Sequence, residues 1–236
     1  MLLNMKKIVF VLALTISFIS CKNEHEMNVE ATITGLRKGT VYLQKVQDSA
    51  LINLDSIVVN GQDNFTLSTI VENPELFYIY IDKLDGNEYN DRITFFGEKG
   101  EIKLFTHLEK INSDVKITGS KNHRIYTEYQ NSLKKVNTAL AKANIEFIQA
   151  QMKNDEERMV VLDEKINKLI RSKYTRSIQF ALNHKRSSVA AYIGAREIEE
   201  ANIVYLDSIY NGLSKKAKNT IYGHELEQAI KHRKKS

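Results

Sequence analysis

Apolar and polar residues alternate with a period of two over the first half of the chain. Val29, Ala31 and Ile33 alternate with polar neighbours up to Gly35, and Val41-Tyr42-Leu43 follows Gly39-Thr40. Residues 54–59 run into Asn60-Gly61, a strong turn dipeptide, and Phe65-Thr66-Leu67 then resumes the alternation. Four further runs, 77–81, 93–96, 102–105 and 115–117, continue the series, with Asp85-Gly86-Asn87, Lys99-Gly100 and Asn112-Ser113-Asp114 between them. Around eight strands without an intervening helical pattern predict an antiparallel β sandwich or open barrel over 29–118. Pro74 is expected at a strand entry or in a loop, where its missing N–H costs little.

At Gly119-Ser120 the period changes from two to about 3.6. Ile125, Tyr129, Leu133, Val136, Leu140, Ala143, Phe147 and Gln151 recur at steps of three and four, which predicts one long helix capped by Ser120 or Asn122. Asn154, with Glu157 three residues later, resembles a capping box and opens a second stripe through Met159, Leu162, Ile166, Leu169, Tyr174, Ile178 and Leu182. Two long helices joined by so short a break pack antiparallel. Ser187 or Ser188 is expected to cap a third helix, a fourth spans about 202–211, and short helices follow Ser214 and Thr220. The fold class expected is therefore α+β, with a β domain over 29–118 and a helical domain over 119–236.

The first residues follow neither pattern. Lys6 and Lys7 precede an uncharged apolar run, 8–19, too short to cross about 30 Å of hydrocarbon at about 1.5 Å per residue. This is the template of an export signal, residues 1–20. Phe18-Ile19-Ser20-Cys21 resembles a relaxed lipobox, with Ile19 as the departure, so Cys21 is the expected lipidation site. Ordinary signal cleavage beside an unmodified cysteine is the alternative. Residues 21–28 then form a polar tether. Several acyl chains on Cys21 hold a chain on a membrane, since each buried methylene contributes about 0.8 kcal/mol. The expected location is the cell envelope, facing the periplasm or the cell surface; the choice of inner or outer membrane stays open, and Glu24 and Glu26 match surface-export signals only loosely.

Composition adds that the 42% hydrophobic residues and eleven tyrosines suffice for real cores, while a single proline suits long uninterrupted helices. Charge divides the chain at the same place as period. Residues 21–119 hold 10 Lys/Arg against 16 Asp/Glu, net −6, and residues 120–236 hold 22 against 13, net +9. The halves either attract each other or present the basic one to an acidic surface. Nucleic acid is not an expected partner of an exported protein.

Motifs for catalysis are weak. The histidines His25, His107, His123, His184, His224 and His232 lack the His-x-x-x-His spacing of metal ligands, and His224-Glu225 reads as the polar start of a terminal helix. Ser113 with Lys116 and Ser132 with Lys135 match a loose Ser-x-x-Lys pattern without its companion Lys-Thr-Gly. No nucleophile elbow, phosphate loop or dinucleotide fingerprint is present. The reading is thus no catalytic residue, no metal and no cofactor. Three surfaces remain for binding. Tyr78 and Tyr80 share one strand face, a packing arrangement more often than a stacking platform. The 82–91 run with Asp85, Glu88 and Asp91 misses the calcium-loop register and fits a solvated hairpin. The basic run 231–235 is either a contact for phosphates or anionic lipid, or a frayed helix end.

Leu54-Asp55-Ser56-Ile57-Val58-Val59-Asn60-Gly61, Phe65, Pro74 and Phe77-Tyr78-Ile79-Tyr80-Ile81 resemble the domain of unknown function that forms the N-terminal half of many thiol-disulfide interchange (TlpA/ResA-like) lipoproteins of Gram-negative bacteria. Gly119-Ser120, Ser188-Val189-Ala190-Ala191-Tyr192, the segment 206–214 and Tyr222-Gly223-His224-Glu225-Leu226 are similar to that family's helical connector. The resemblance implies the same β domain and connector, export, and proximity to a redox partner. A thioredoxin-like domain with Cys-x-x-Cys usually follows the connector in that family, but Cys21 is the single cysteine in this sequence. Thiol exchange needs an attacking thiolate and a resolving thiol. The expectation is a noncatalytic, lipid-anchored binding or interaction module associated with an envelope thiol-redox or stress system, with an envelope protein as partner and its small-molecule ligand unknown. The alternatives are a structural lipoprotein that docks an assembly through its helices and an enzyme with an unrecognised site.

Overall fold

The computed structural model describes residues 25–83, 91–111 and 113–235. Among these residues eight strands in two sheets precede six helices, an α+β fold. One sheet has the order β4-β1-β7-β8, with β1 Glu26–Thr34, β4 Asn64–Ile70, β7 Gly100–His107 and β8 Lys116–Thr118. The other has the order β3-β2-β5-β6, with β2 Lys38–Gln47, β3 Ala50–Asn60, β5 Glu75–Asp82 and β6 Asp91–Gly97. Alternate side chains point into one shared core: Val29, Ala31 and Ile33 of β1 and Ile102 of β7 pack with Val41 and Leu43 of β2 and Ile79 of β5. A one-residue slip in any of these strands would turn its apolar set to water, which is why period two fixes the register. Pro74 stands just before β5, where no ladder hydrogen bond is lost.

Two features of the sandwich depart from the sequence reading. β1 and β7 run parallel, from Met27 opposite Gly100 to Thr34 opposite His107, whereas every other neighbouring pair is antiparallel. Period two reports which face of a strand is buried and carries no information on its direction. Glu26 to Asn28, placed by their polarity in a tether, open β1 instead, with Met27 fully buried. A Cβ added at Gly97 would lie 2.6 Å from Met27 Sδ, so the bare backbone of Gly97 makes the space that Met27 fills. One apolar residue in a polar run is too little for periodicity to register. Cys21, the signal segment and most of the 82–91 loop lie outside the described residues.

The helices are α1 Lys121–Met152, α2 Glu156–Asn183, α3 Ser188–Tyr192, α4 Ile203–Gly212, α5 Lys215–Lys218 and α6 Ile221–Arg233, with a single π turn at Ile193–Glu197 after α3. Ser120, Asp155, Ser187, Asn202, Ser214 and Thr220 cap them, each side chain accepting a backbone N–H two or three residues on. Such caps contribute about 1 kcal/mol apiece. The second cap is Asp155 and not Asn154, because Asn154 takes a left-handed φ of 53° to turn the chain between α1 and α2. These two helices pack antiparallel. Tyr129 and Ser177 share a hydrogen bond of 2.9 Å at one end of the pair, and Arg158 donates to Glu146 at 3.2 Å toward the other. The stripe of α1 is buried at Ile125, Tyr129, Leu133, Val136 and Ala143, but Gln151 is exposed and Ala150 takes the seam position. Among the described residues no helix is long and apolar enough to cross a membrane.

The sandwich and the helices meet at Phe96. This residue lies on β6 yet is fully buried in the core of the helical region, its ring centroid 5.9 Å from Tyr126, 6.0 Å from Tyr192 and 5.9 Å from Tyr222. Tyr222 extends the contact, its hydroxyl oxygen accepting the Leu76 N–H at 3.1 Å. Replacing Phe96 with Ala removes the ring shared by α1, α3 and α6, and the expected cost in urea unfolding is about 3–5 kcal/mol. A loss below about 1 kcal/mol would show that the junction does not depend on it.

Candidate functional site

Beside Phe96 the chain builds a polar knot around Glu98, in the turn between β6 and β7. Asn122 donates its backbone N–H to Glu98 Oε1 at 3.0 Å and its side-chain Nδ2 to Oε2 at 2.7 Å. Ser120 Oγ lies 2.9 Å from Oε1 and 2.8 Å from the Phe96 carbonyl, and its single proton serves one or the other. The same oxygen accepts the His123 N–H at 2.9 Å. Asn122 Oδ1 then accepts from Ser187 Oγ at 2.7 Å and from the Ser188 N–H at 3.3 Å, which ties the first turn of α1 to the first turn of α3. A carboxylate at a helix start is favoured both by the free N–H groups and by the helix dipole.

A cleft of about 490 Å³ opens next to this knot, its wall formed by Pro74, Glu98, Asn122 and Ile125 on one side and the loop 183–188 on the other. Four cations stand around it: Lys121, Lys185, Arg186 and Lys216. Among the described residues none of the four has a carboxylate within ion-pair distance. The loop that carries two of them is fixed. His184 stacks on Phe180 with centroids 4.0 Å apart, the Ser187 N–H donates to the His184 carbonyl at 2.8 Å, and the Ser214 N–H donates to the Lys185 carbonyl at 2.9 Å. The arrangement is a concave, positively charged surface on a fixed backbone, and it suits an anion.

Other cations of the helical half, among them Lys134, Lys142, Lys173 and Lys215, also have no ion pair among the described residues, but at the C-terminus the charge is engaged. Lys231 pairs with Glu227 at 2.9 Å and Lys234 with Asp207 at 2.6 Å, while Arg233 donates to the carbonyls of Glu199 and Ala201, both at 2.8 Å. The C-terminal run is therefore largely engaged within the fold. Glu225 is held by Arg196 through two hydrogen bonds of 2.9 and 2.6 Å, so His224-Glu225 does not form a pair directed at a common ion. Among the described residues no three His, Cys, Asp or Glu side chains gather where they would hold a metal. Tyr78 and Tyr80 both lie under the Arg92 guanidinium, 5.8 and 5.4 Å from their centroids, and Tyr80 also packs on Tyr42 at 5.9 Å. Asp91 pairs with Lys83 at 3.3 Å, and Asp85 and Glu88 lie outside the described residues. Ser113 and Ser132 spend their hydroxyls on the carbonyls of Lys110 and Tyr129.

Sequence reasoning reached Ser120 and Ser187 as caps but missed Glu98 and the cation ring. Glu98 lies in a two-residue turn with no periodic signal. The Lys185-Arg186 pair was legible as charge, and only the fold brings Lys121 and Lys216 beside it.

His123 gives the junction a pH dependence. Its Nδ1 accepts the Phe96 N–H at 3.3 Å, so the ring proton resides on Nε2, 3.3 Å from Thr127 Oγ1. Burial lowers its pKa from 6.5 to about 4. As pH falls through 6.5 the unfolded chain takes up a proton that the native ring refuses until about 4. The stability contributed by neutral His123 is thus complete above pH 6.5 and is lost as pH falls toward 4. Urea midpoints measured across this window should fall with pH, and His123→Gln should flatten the slope; parallel slopes for the two proteins would contradict the assignment.

Residues 27–126 match the profile of a family described as a domain of unknown function, DUF4369, which spans the sandwich and the first turns of α1. No curated protein and no solved structure shows significant similarity to the chain.

Proposed function

We propose that the chain is a noncatalytic binding module, held on an envelope membrane by lipid on Cys21, that receives an anionic group in the junction cleft. The observation that carries this reading is the gathering of four cations on one concavity. Lys121, Lys185, Arg186 and Lys216 line one concavity, and among the described residues none of them has a carboxylate within ion-pair distance, whereas Lys231 and Lys234 at the C-terminus are paired. Leaving four like charges together costs folding energy through mutual repulsion, and a ligand or surface of opposite sign relieves it. The anchor rests on Lys6-Lys7, the apolar run 8–19 and Ser20-Cys21. Association with an envelope thiol-redox or stress system rests on the resemblance of the β domain and connector to the thiol-disulfide interchange lipoproteins. With a single cysteine in the sequence, the role within such a system is that of an accessory and not of the thiol-exchange enzyme.

A second reading has its own observation. The far end of the α1–α2 hairpin exposes Ile145, Ile148, Met152, Val160 and Val161, with Met152 80% exposed. Apolar side chains at a projecting tip suit docking to an assembly, which is the structural-lipoprotein alternative.

Palmitate labelling of the wild-type chain and of Cys21→Ser tests the anchor. Label is expected on the first and absent from the second; equal labelling would refute lipidation at Cys21. In-cell crosslinking separates the two readings. Lys185→Glu with Arg186→Glu should abolish partner capture under the first, whereas Ile145→Lys with Ile148→Lys should do so under the second.

A further inference from the structure

The cleft and the proposed anchor lie at the same end of the sandwich. The His25 carbonyl accepts the Val71 N–H at 2.8 Å, and Val71 is three residues before Pro74 on the cleft wall. On the other side of β1, Met27 is opposite Gly100, two residues after Glu98. The described chain therefore begins beside the segments that lead to Pro74 and Glu98 of the cleft wall. Cys21 is four residues before His25, and four residues extend at most about 14 Å. A lipid on Cys21 would thus hold the membrane surface within a short reach of those segments, and this part of the argument rests on the anchor proposed above.

We propose that the junction cleft seats the phosphate of an anionic phospholipid headgroup, one without a compensating choline cation, from the same membrane that the Cys21 lipid enters. Three features converge on this occupant: the set of cations, the spent carboxylate of Glu98 and the nearness of the proposed anchor. The cations Lys121, Lys185, Arg186 and Lys216 are arranged around a concavity of about 490 Å³, ample for a headgroup phosphate. Arg186 supplies the planar donor fork that matches phosphate oxygens, and the lysines supply mobile point charges. The only acid on the wall, Glu98, has its carboxylate spent on Ser120 and Asn122, so its oxygens are turned into the protein's own hydrogen bonds. Lipid phosphates are abundant at the distance the tether permits, and attraction between basic side chains and an anionic surface falls off within about 10 Å. One acyl-bearing residue and one headgroup site together fix the orientation of the sandwich, which a flexible tether alone leaves free.

The test uses the full chain with its lipid in place, purified in detergent and reconstituted into nanodiscs of phosphatidylcholine alone or of phosphatidylcholine mixed with phosphatidylglycerol. Amide exchange is read in the loop 183–188. Exchange there should slow by about threefold or more on the anionic discs relative to the neutral ones, and Lys121→Glu with Lys216→Glu, which leaves the reported loop unchanged, should abolish the difference. Equal exchange on both discs would overturn the proposal. Protection by inorganic phosphate added to the detergent-solubilised chain, with none from the anionic discs, would overturn it too and assign the cleft to a free anion. Because the phosphate arm needs no acyl chain, and palmitate labelling needs no cleft, failure of the anchor and failure of the headgroup site give different results.

Discussion

The carboxylate of Glu98 is the group on which the relation between the two halves depends. It belongs to a turn of the sandwich, but its hydrogen-bond donors belong to the first turn of α1, and through Asn122 the bonding passes on to the first turn of α3. Hydrogen bonds to a charged group contribute roughly 1.5–3 kcal/mol each, more than a neutral pair, and their geometry is demanding. Apolar contact around Phe96 supplies much of the adhesion between the halves and tolerates sliding. The directional bonds at Glu98 remove that freedom and set where the helices sit on the sheet edge.

That division of labour explains why the site lies at the junction. A cleft between two separately folded cores keeps its shape only where the cores are locked together. Here Phe96, Tyr126, Tyr192 and Tyr222 fill the space beneath, and the Glu98 knot fixes the rim. Lys121 extends from the helix that Glu98 caps, while Lys185 and Arg186 extend from the loop that Asn122 and Ser187 close. The cations are therefore positioned by the same bonds that join the domains.

Much of the fold was legible because burial imposes a period. The eight strands follow from alternation, and the two long helices follow from the 3.6-residue stripe. Ser120 and Ser187 were each one of two candidate caps and are the ones used, whereas the second cap fell one residue past the expected Asn154, at Asp155. What period cannot encode was missed. The parallel pairing of β1 and β7 depends on a partner about 70 residues away, and Met27 is buried by a pocket that Gly97 leaves for it. The stripe of α1 drifts after Ala143 because the distal hairpin has only α2 as a neighbour, so its seam is narrow and Ile145 and Ile148 stay exposed. For the site, only the caps and the basic run at 185–186 were visible, since its other members come from four separate elements.

The acidic sandwich and basic helical half were expected either to neutralise one another or to present charge outward; among the described residues every ion pair lies within one half. Within the helical half, acids such as Glu225, Glu227 and Asp207 meet the cations of the π turn and α6. Across the junction the carboxylate of Glu98 is bonded by neutral donors and not by lysines. Had an acid of the sandwich paired with Lys121 or Arg186, the contact would have been a solvent-exposed ion pair contributing about 1 kcal/mol or less. Joining the halves through amide and hydroxyl donors instead gives a stronger, more directional bond and leaves the cations unspent. Four cations of the second half thereby stand without ion pairs around one concavity at the junction.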